Sequence, residues 1–292
     1  MAHNENVENG DNYYIPHGTR WPIMGSVGLF VLFAGVSIWL NSGNGAWLAW
    51  GGAAIVIAMV FLWFGQVINE SESGTFNAQV DKSFRMGMMW FIFSEVMFFA
   101  CFFGALFYAR MFAVPWLGGE GSGAYTNEIL WQGYQAVWPT AGPEALGGSF
   151  QTIPAFGVPF LNTLILLLSG LTVTLAHHAL KKNLRPALVG WLLATVALGF
   201  LFVYFQIEEY KEAYQHLGLT LGSGIYGSTF FMLTGFHGMH VTLGAIMLTV
   251  IAIRSMRGHF KPEHHFGFEA VAWYWHFVDV VWLGLFIFVY VF

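Results

Sequence analysis

Charge is what this sequence has least of: only 9% of its 292 residues are Asp, Glu, Lys or Arg. A soluble domain of this length cannot cover its surface with so few charges. Cysteine is nearly absent as well. The single Cys101 excludes an intramolecular disulfide and is by itself a poor metal site, so it reads as a small apolar filler in a helix contact. No internal repeat is visible, which argues against an inverted-repeat transporter. There is no basic stripe, and a net charge of −5 gives no reason to expect a nucleic-acid partner. The first twenty residues are polar and acidic and lack a basic n-region followed by an apolar core, so no cleavable signal is expected.

What is present in excess is apolar surface: 57% hydrophobic residues, among them 30 Phe and 13 Trp. A helix needs about 20 apolar residues to cross a bilayer. Seven windows meet that demand: Trp21–Leu40, Ala46–Ile68, Met86–Met111, Phe156–Ala179, Leu188–Ile207, Ile225–Ile253 and Ala270–Phe292. None shows the period-two alternation of a membrane barrel. The expected fold is therefore an all-α membrane protein with seven transmembrane helices. The third and sixth windows exceed the bilayer requirement and are expected to tilt or protrude.

The few basic residues set the orientation. With the N-terminus inside, the inner segments hold Arg20, Lys82, Arg85, Lys181, Lys182, Arg185, Arg254, Arg257 and Lys261, and the outer segments only Arg110 and Lys211. That asymmetry puts the N-terminus on the cytoplasmic side and the C-terminus outside. The chain then divides into a cytoplasmic segment 1–20, a helix hairpin 21–68, an inner loop 69–85 and a five-helix bundle 86–292. The hairpin turns at the Asn- and Gly-containing Asn41–Gly45. The bundle carries an outer loop 112–155, whose body Pro115–Pro154 is full of Gly, Pro and Trp. Pro186 and Pro262 mark helix starts. A hairpin set apart by its own loop can lean away from the other five helices and leave a gap.

Several polar residues lie at bilayer depth. Glu95 sits in the unbroken apolar run Met88–Ala109, where a carboxylate is costly unless it is protonated, partnered or facing a polar cavity. Counting about 1.5 Å per residue places Glu95 about 15 Å from the inner end of the third span. His237 and His240 lie about 20 Å from the inner end of the sixth span, and His276 and Asp279 about 10–15 Å from that of the seventh. Spacings of three and seven set Glu269, His276 and Asp279 on one stripe, and His237 and His240 share a face beside the small-residue ridge Thr234, Gly238 and Thr242. The simplest account is that the sixth and seventh spans pack through buried imidazole–carboxylate hydrogen bonds. A proton relay and a contact with ligand or lipid are the alternatives. For Glu95 the choices are a neutral acid bonded to Ser94, a carbonyl or a histidine, a proton-transfer group, or a group facing the gap beside the hairpin.

A metal reading fares worse. His237 and His240 share a helix face and cannot sandwich a haem, and Trp275 and Phe236 crowd the space between His240 and His276. A copper or zinc site calls for three or four clustered ligands, and His177, His178, His264 and His265 sit near inner helix ends where headgroups are expected. No catalytic residue and no metal ligand is assigned. At that same inner level Arg254, Arg85, Glu70, Ser71, His264 and His265 are suited as a group to a phosphodiester headgroup, although each alone reads as an ordinary snorkelling side chain.

These residues also carry a resemblance. The chain resembles subunit III of the haem–copper cytochrome c oxidases of the aa3 type over nearly its whole length. The most specific stretch is HHFGFEAVAWYWHFVDVVWL at His264–Leu283. FIFSEVMFF at Phe91–Phe99, LNTLILLLSGLTVTLAHH at Leu161–His178 and YGSTFFMLTGFHGMHVTLG at Tyr226–Gly244 are similar to the family, as are YYIPHGTRWPI at Tyr13–Ile23 and QIEEYKEA at Gln206–Ala213. The resemblance implies a V formed by two N-terminal helices and five others, with phospholipid in the cleft. It implies an accessory subunit of a proton-pumping oxidase in aerobic respiration, whose reaction is cytochrome c oxidation with oxygen reduction to water. Haem a, haem a3, CuA and CuB would reside in partner subunits I and II, subunit I being the main contact, and cytochrome c would be the substrate of the complex. This chain would stabilise subunit I, support proton uptake and offer oxygen an apolar way in. Glu95 matches the family's glutamate of the third helix, and Arg254 and Glu70 match positions that contact cleft lipids. Two departures stand out: Gly74, Thr75 and Phe76 occupy places where the family often has basic or histidine residues, and the outer loop exceeds the mitochondrial form. With the acidic N-terminus, the reading is a bacterial inner membrane. The rival readings are a quinol oxidase subunit III, which typically lacks the hairpin found here, and an independent proton or ion transporter using Glu95, His240 and Asp279.

Overall fold

The structure, a computed structural model, describes residues 18–145 and 148–292, so most of the segment 1–20 lies outside the described residues. The described residues are helical with turns and loops and contain no strand. The helices are α1 (Trp21–Ser42), α2 (Ala46–Glu72), α3 (Ala78–Tyr108), α4 (Val114–Leu117), α5 (Ala124–Ile129), α6 (Val158–Lys181), α7 (Arg185–Gln215), α8 (Gly224–Met256) and α9 (Phe266–Leu285). A π-turn at Ala109–Ala113 links α3 to α4, and another at Phe286–Val291 prolongs α9. Seven of these stretches are long and apolar enough to cross a membrane, one in each window expected from the sequence.

The chain forms two compact units, divided between Phe84 and Arg85. In the first, α1 ends on Gly43, whose φ of 76° lets its N–H return to the Trp39 carbonyl. The two helices of this hairpin touch backbone to backbone. A Cβ on Gly35 would stand 2.2 Å from the Ala49 nitrogen, and one on Gly52 2.2 Å from that of Leu32. Glycine is what permits that approach, the usual device where packing rather than water expulsion drives helix association.

In the second unit α6 packs on α7 and α9, α7 on α8, and α8 on α9. Trp275 and Trp282 of α9 are both fully buried at the centre. Their indole N–H groups donate to Ser169 Oγ and Thr163 Oγ1 of α6, each at 2.9 Å. Gly199 and Gly244 clear the space for Trp275, since a Cβ on either would lie 2.8 Å from its ring. Little of α3 is buried: Met89, Trp90, Phe93, Met97 and Phe107 stay exposed, while Phe99 packs on His240 and Phe277.

Helix ends run past the apolar windows. The inner loop 69–85 contracts to residues 73–77, because α2 continues through Glu72 and α3 begins at Ala78. Asn77 starts α3 by accepting the Val80 N–H on Oδ1 at 2.9 Å. Hydropathy senses the hydrocarbon layer, whereas backbone hydrogen bonding continues into the headgroup region. The outer loop 112–155 likewise begins with helix α4 and contains α5.

Candidate functional site: a polar array along α9

Polar side chains line α9 from its N-terminal to its C-terminal end, and they join neighbours on α3, α6, α7 and α8. At the N-terminal end Glu269 pairs with Arg85 of α3 through Oε2. Its other oxygen, Oε1, lies 3.3 Å from His265 Nε2 and 3.6 Å from His177 Nε2 of α6. The two imidazoles face each other, Nε2 to Nε2, at 3.3 Å. Burial holds the His265 imidazole below its usual range, with Arg85 and Lys181 acting in the same sense and the Lys261 carbonyl against them.

Halfway along, His276 Nε2 meets Thr174 Oγ1 of α6 at 3.2 Å. Asp279, nearly buried, lies over Gly170, where a Cβ would come within 2.9 Å of its Oδ2. His237 Nε2 donates to the Val278 carbonyl at 3.1 Å. His240 Nε2 and Glu95 Oε2 are 2.8 Å apart, and His240 Nδ1 donates to the Phe236 carbonyl at 2.6 Å. Because Nδ1 already uses its proton, a single proton sits between Nε2 and the Glu95 carboxyl. The pair is either a neutral acid donating to a neutral imidazole or an ion pair of the same shape.

At the C-terminal end Tyr290 donates to Glu209 Oε1 of α7 at 2.6 Å, and Gln206 Nε2 reaches the same oxygen at 3.3 Å. Glu209 is almost fully buried there.

The stripe of Glu269, His276 and Asp279 lies on one side of α9, facing α6, with Arg85 of α3 reaching Glu269. The imidazole–carboxylate bonds expected between the sixth and seventh spans do not form. His240 turns instead to Glu95 on the third span, and His237 takes a backbone carbonyl. Residues three apart lie about 60° apart around a helix, enough for adjacent histidines to face different neighbours. Glu95 does take a histidine partner, while Ser94 bonds back to the Phe91 carbonyl at 2.7 Å.

The residues expected at a headgroup each have their own setting. His265 is only 7% exposed and turns inward, and Arg85 is engaged by Glu269. Arg254 lies over the Phe260 ring at 4.5 Å from its centroid, and His264 is exposed. In the other unit Ser71 is exposed, and Glu70 accepts the Gln66 amide at 2.6 Å. Two participants escaped sequence reasoning. His177, expected to face headgroups, joins the cluster instead; Gly170, Thr174 and His177, four and three apart, share one face of α6. Glu209 carries no sequence signal beyond its place one turn from Gln206.

Comparison with known proteins gives a consistent result. The family model described as cytochrome c oxidase subunit III matches residues 11–128 and 132–292. A protein of Oncorhynchus mykiss named cytochrome c oxidase subunit 3 is 39% identical over 294 residues, covering 99% of this chain and 98% of its own. A protein of that name from Gadus morhua is 40% identical over 282 residues, covering 95% of this chain and 96% of its own. Another, from Marchantia polymorpha, is 43% identical over 281 residues, covering 95% of each.

Proposed function

The chain belongs to the cytochrome c oxidase subunit III family, and so is an accessory subunit of that membrane oxidoreductase complex; from this premise we propose that it takes no part in electron transfer. Its role is to brace subunit I, to support proton uptake from the inner side, and to present oxygen with an apolar path. Haem a, haem a3, CuA and CuB are held by subunits I and II, and cytochrome c delivers its electrons to them.

The observation that carries this reading is the state of the mid-membrane imidazoles. A haem ligand must offer an imidazole nitrogen to the iron, opposite a second ligand at the same level. His240 has both nitrogens committed, while His237 and His276 each commit Nε2, to Val278 and Thr174, and His237 keeps its buried Nδ1 outside any hydrogen bond. These groups are arranged as helix fasteners. Of the polar groups, the Glu95–His240 pair stands at the edge of its unit on the sparsely covered α3, which suits the side that meets subunit I.

Phospholipid binding is assigned to inner-face groups of each unit: Arg254 and His264 in the larger, Glu70 and Ser71 in the smaller. Arg85 and His265 serve Glu269 instead. The N-terminus lies on the cytoplasmic side by the basic-residue asymmetry, and the acidic N-terminal segment favours a bacterial inner membrane. The test is the visible spectrum of the chain purified by itself. No haem band is expected, and a stoichiometric haem would overturn the reading.

A further inference from the structure

The cluster at the inner ends of α6 and α9 has a geometry that fastening alone does not require. We propose that His177, His265 and Glu269 form a binding site for a divalent cation of the zinc class, open at its fourth position. The site goes beyond the role proposed above and does not rest on it, since all three ligands belong to this chain.

Zinc binds imidazole nitrogen and carboxylate oxygen at about 2.0–2.1 Å in tetrahedral geometry, which sets the donors about 3.3–3.4 Å apart. Here the three edges are 3.3 Å from His177 Nε2 to His265 Nε2, 3.3 Å from His265 Nε2 to Glu269 Oε1, and 3.6 Å from His177 Nε2 to Glu269 Oε1. The donors already occupy one face of a tetrahedron of the right size. They come from α6, the residue preceding α9, and α9 itself.

The surroundings set the donors for ligation. His265 Nδ1 donates to the Lys261 carbonyl at 3.1 Å, so its Nε2 presents a lone pair to the cluster. Glu269 is oriented by Arg85, which holds Oε2 and leaves Oε1 to the imidazoles. Such outer partners are what fix ligand tautomer and direction in metal sites. Partial cover helps too, with His265 7% and Glu269 9% exposed. Two nitrogen donors disfavour calcium and magnesium, which prefer all-oxygen shells. Arg85 and Lys181 add positive charge nearby, so the ion is an exchangeable one rather than a permanent structural centre.

The experiment uses the whole oxidase complex purified from its membrane, stripped of loose metal by chelator and titrated with zinc. The complex should take up one more zinc than a His177→Ala complex, or bind that zinc at least about tenfold more tightly, in line with the 10–100-fold effect of losing even an outer partner. His178→Ala, a neighbour outside the cluster, should match the parent. His177→Cys should keep the zinc and add a sulfur scatterer at about 2.3 Å to the zinc-edge absorption spectrum. That signal reports the ligand directly and stands even where His177→Ala fails to assemble. Equal zinc uptake and affinity in parent and His177→Ala complexes would overturn the site, as would a His177→Cys complex with no zinc–sulfur distance.

Discussion

Glu95 and His240 meet across 2.8 Å in a helix pair that otherwise meets through aromatic rings. An amide fits the same place, because a Gln side chain can donate to the imidazole nitrogen that Nδ1–H leaves unprotonated. Glu95→Gln should therefore leave steady-state oxidase turnover largely intact, within about 1 kcal/mol of barrier. A near-complete loss would make the residue a proton-transfer group. Glu95→Ala strips the imidazole of its partner, and thermal unfolding of the complex should register a cost of about 1 kcal/mol, the scale of interhelical hydrogen bonds in membranes. On the inner face, the proposed headgroup role of Arg254 gives Arg254→Ala a definite phenotype: less phospholipid co-purifying with the complex, measured by phosphorus content. Unchanged lipid would remove Arg254 from that role.

At the scale of helices, two close packings decide whether each unit forms. Gly35 and Gly52 let α1 and α2 meet at backbone distance, so Gly52→Leu must push the pair apart or abolish the hairpin. Crosslinking by a short bifunctional reagent between cysteines introduced at Trp21 and Gln66, whose side chains meet at 2.7 Å, should then fall, while equal crosslinking would contradict the packing. On α9, Trp275→Phe keeps most of the ring but deprives Ser169 of its donor, a loss of about 1 kcal/mol in thermal unfolding. The spans themselves were legible because a bilayer imposes a fixed apolar length, and all seven windows became helices. Their ends were not: the polar stretches Asn69–Glu72 and Glu208–Gln215 carry little hydrophobic signal yet satisfy the helix. Partner choice was hidden for a related reason. Helical period fixes the face on which a residue lies, but His240 and Glu95 are 145 residues apart and neither pattern names the other. The α6 stripe Gly170, Thr174 and His177 was readable as a stripe. Its junction with Glu269 and His265 came only with the tertiary arrangement.

For the whole molecule, the family was legible in long matches in the correct order, and the family comparison agrees over almost every residue. In the function proposed, this polypeptide supports an oxygen-reducing neighbour without holding any of its redox groups. The most direct measurement is on the oxidase assembled without this chain: haem and copper content per subunit I, with turnover followed over time. Full haem a, haem a3 and copper are predicted, with initial turnover within about a factor of two, under 1 kcal/mol of barrier, and a faster decline during sustained turnover. Loss of haem or copper in proportion to the missing chain would contradict the claim.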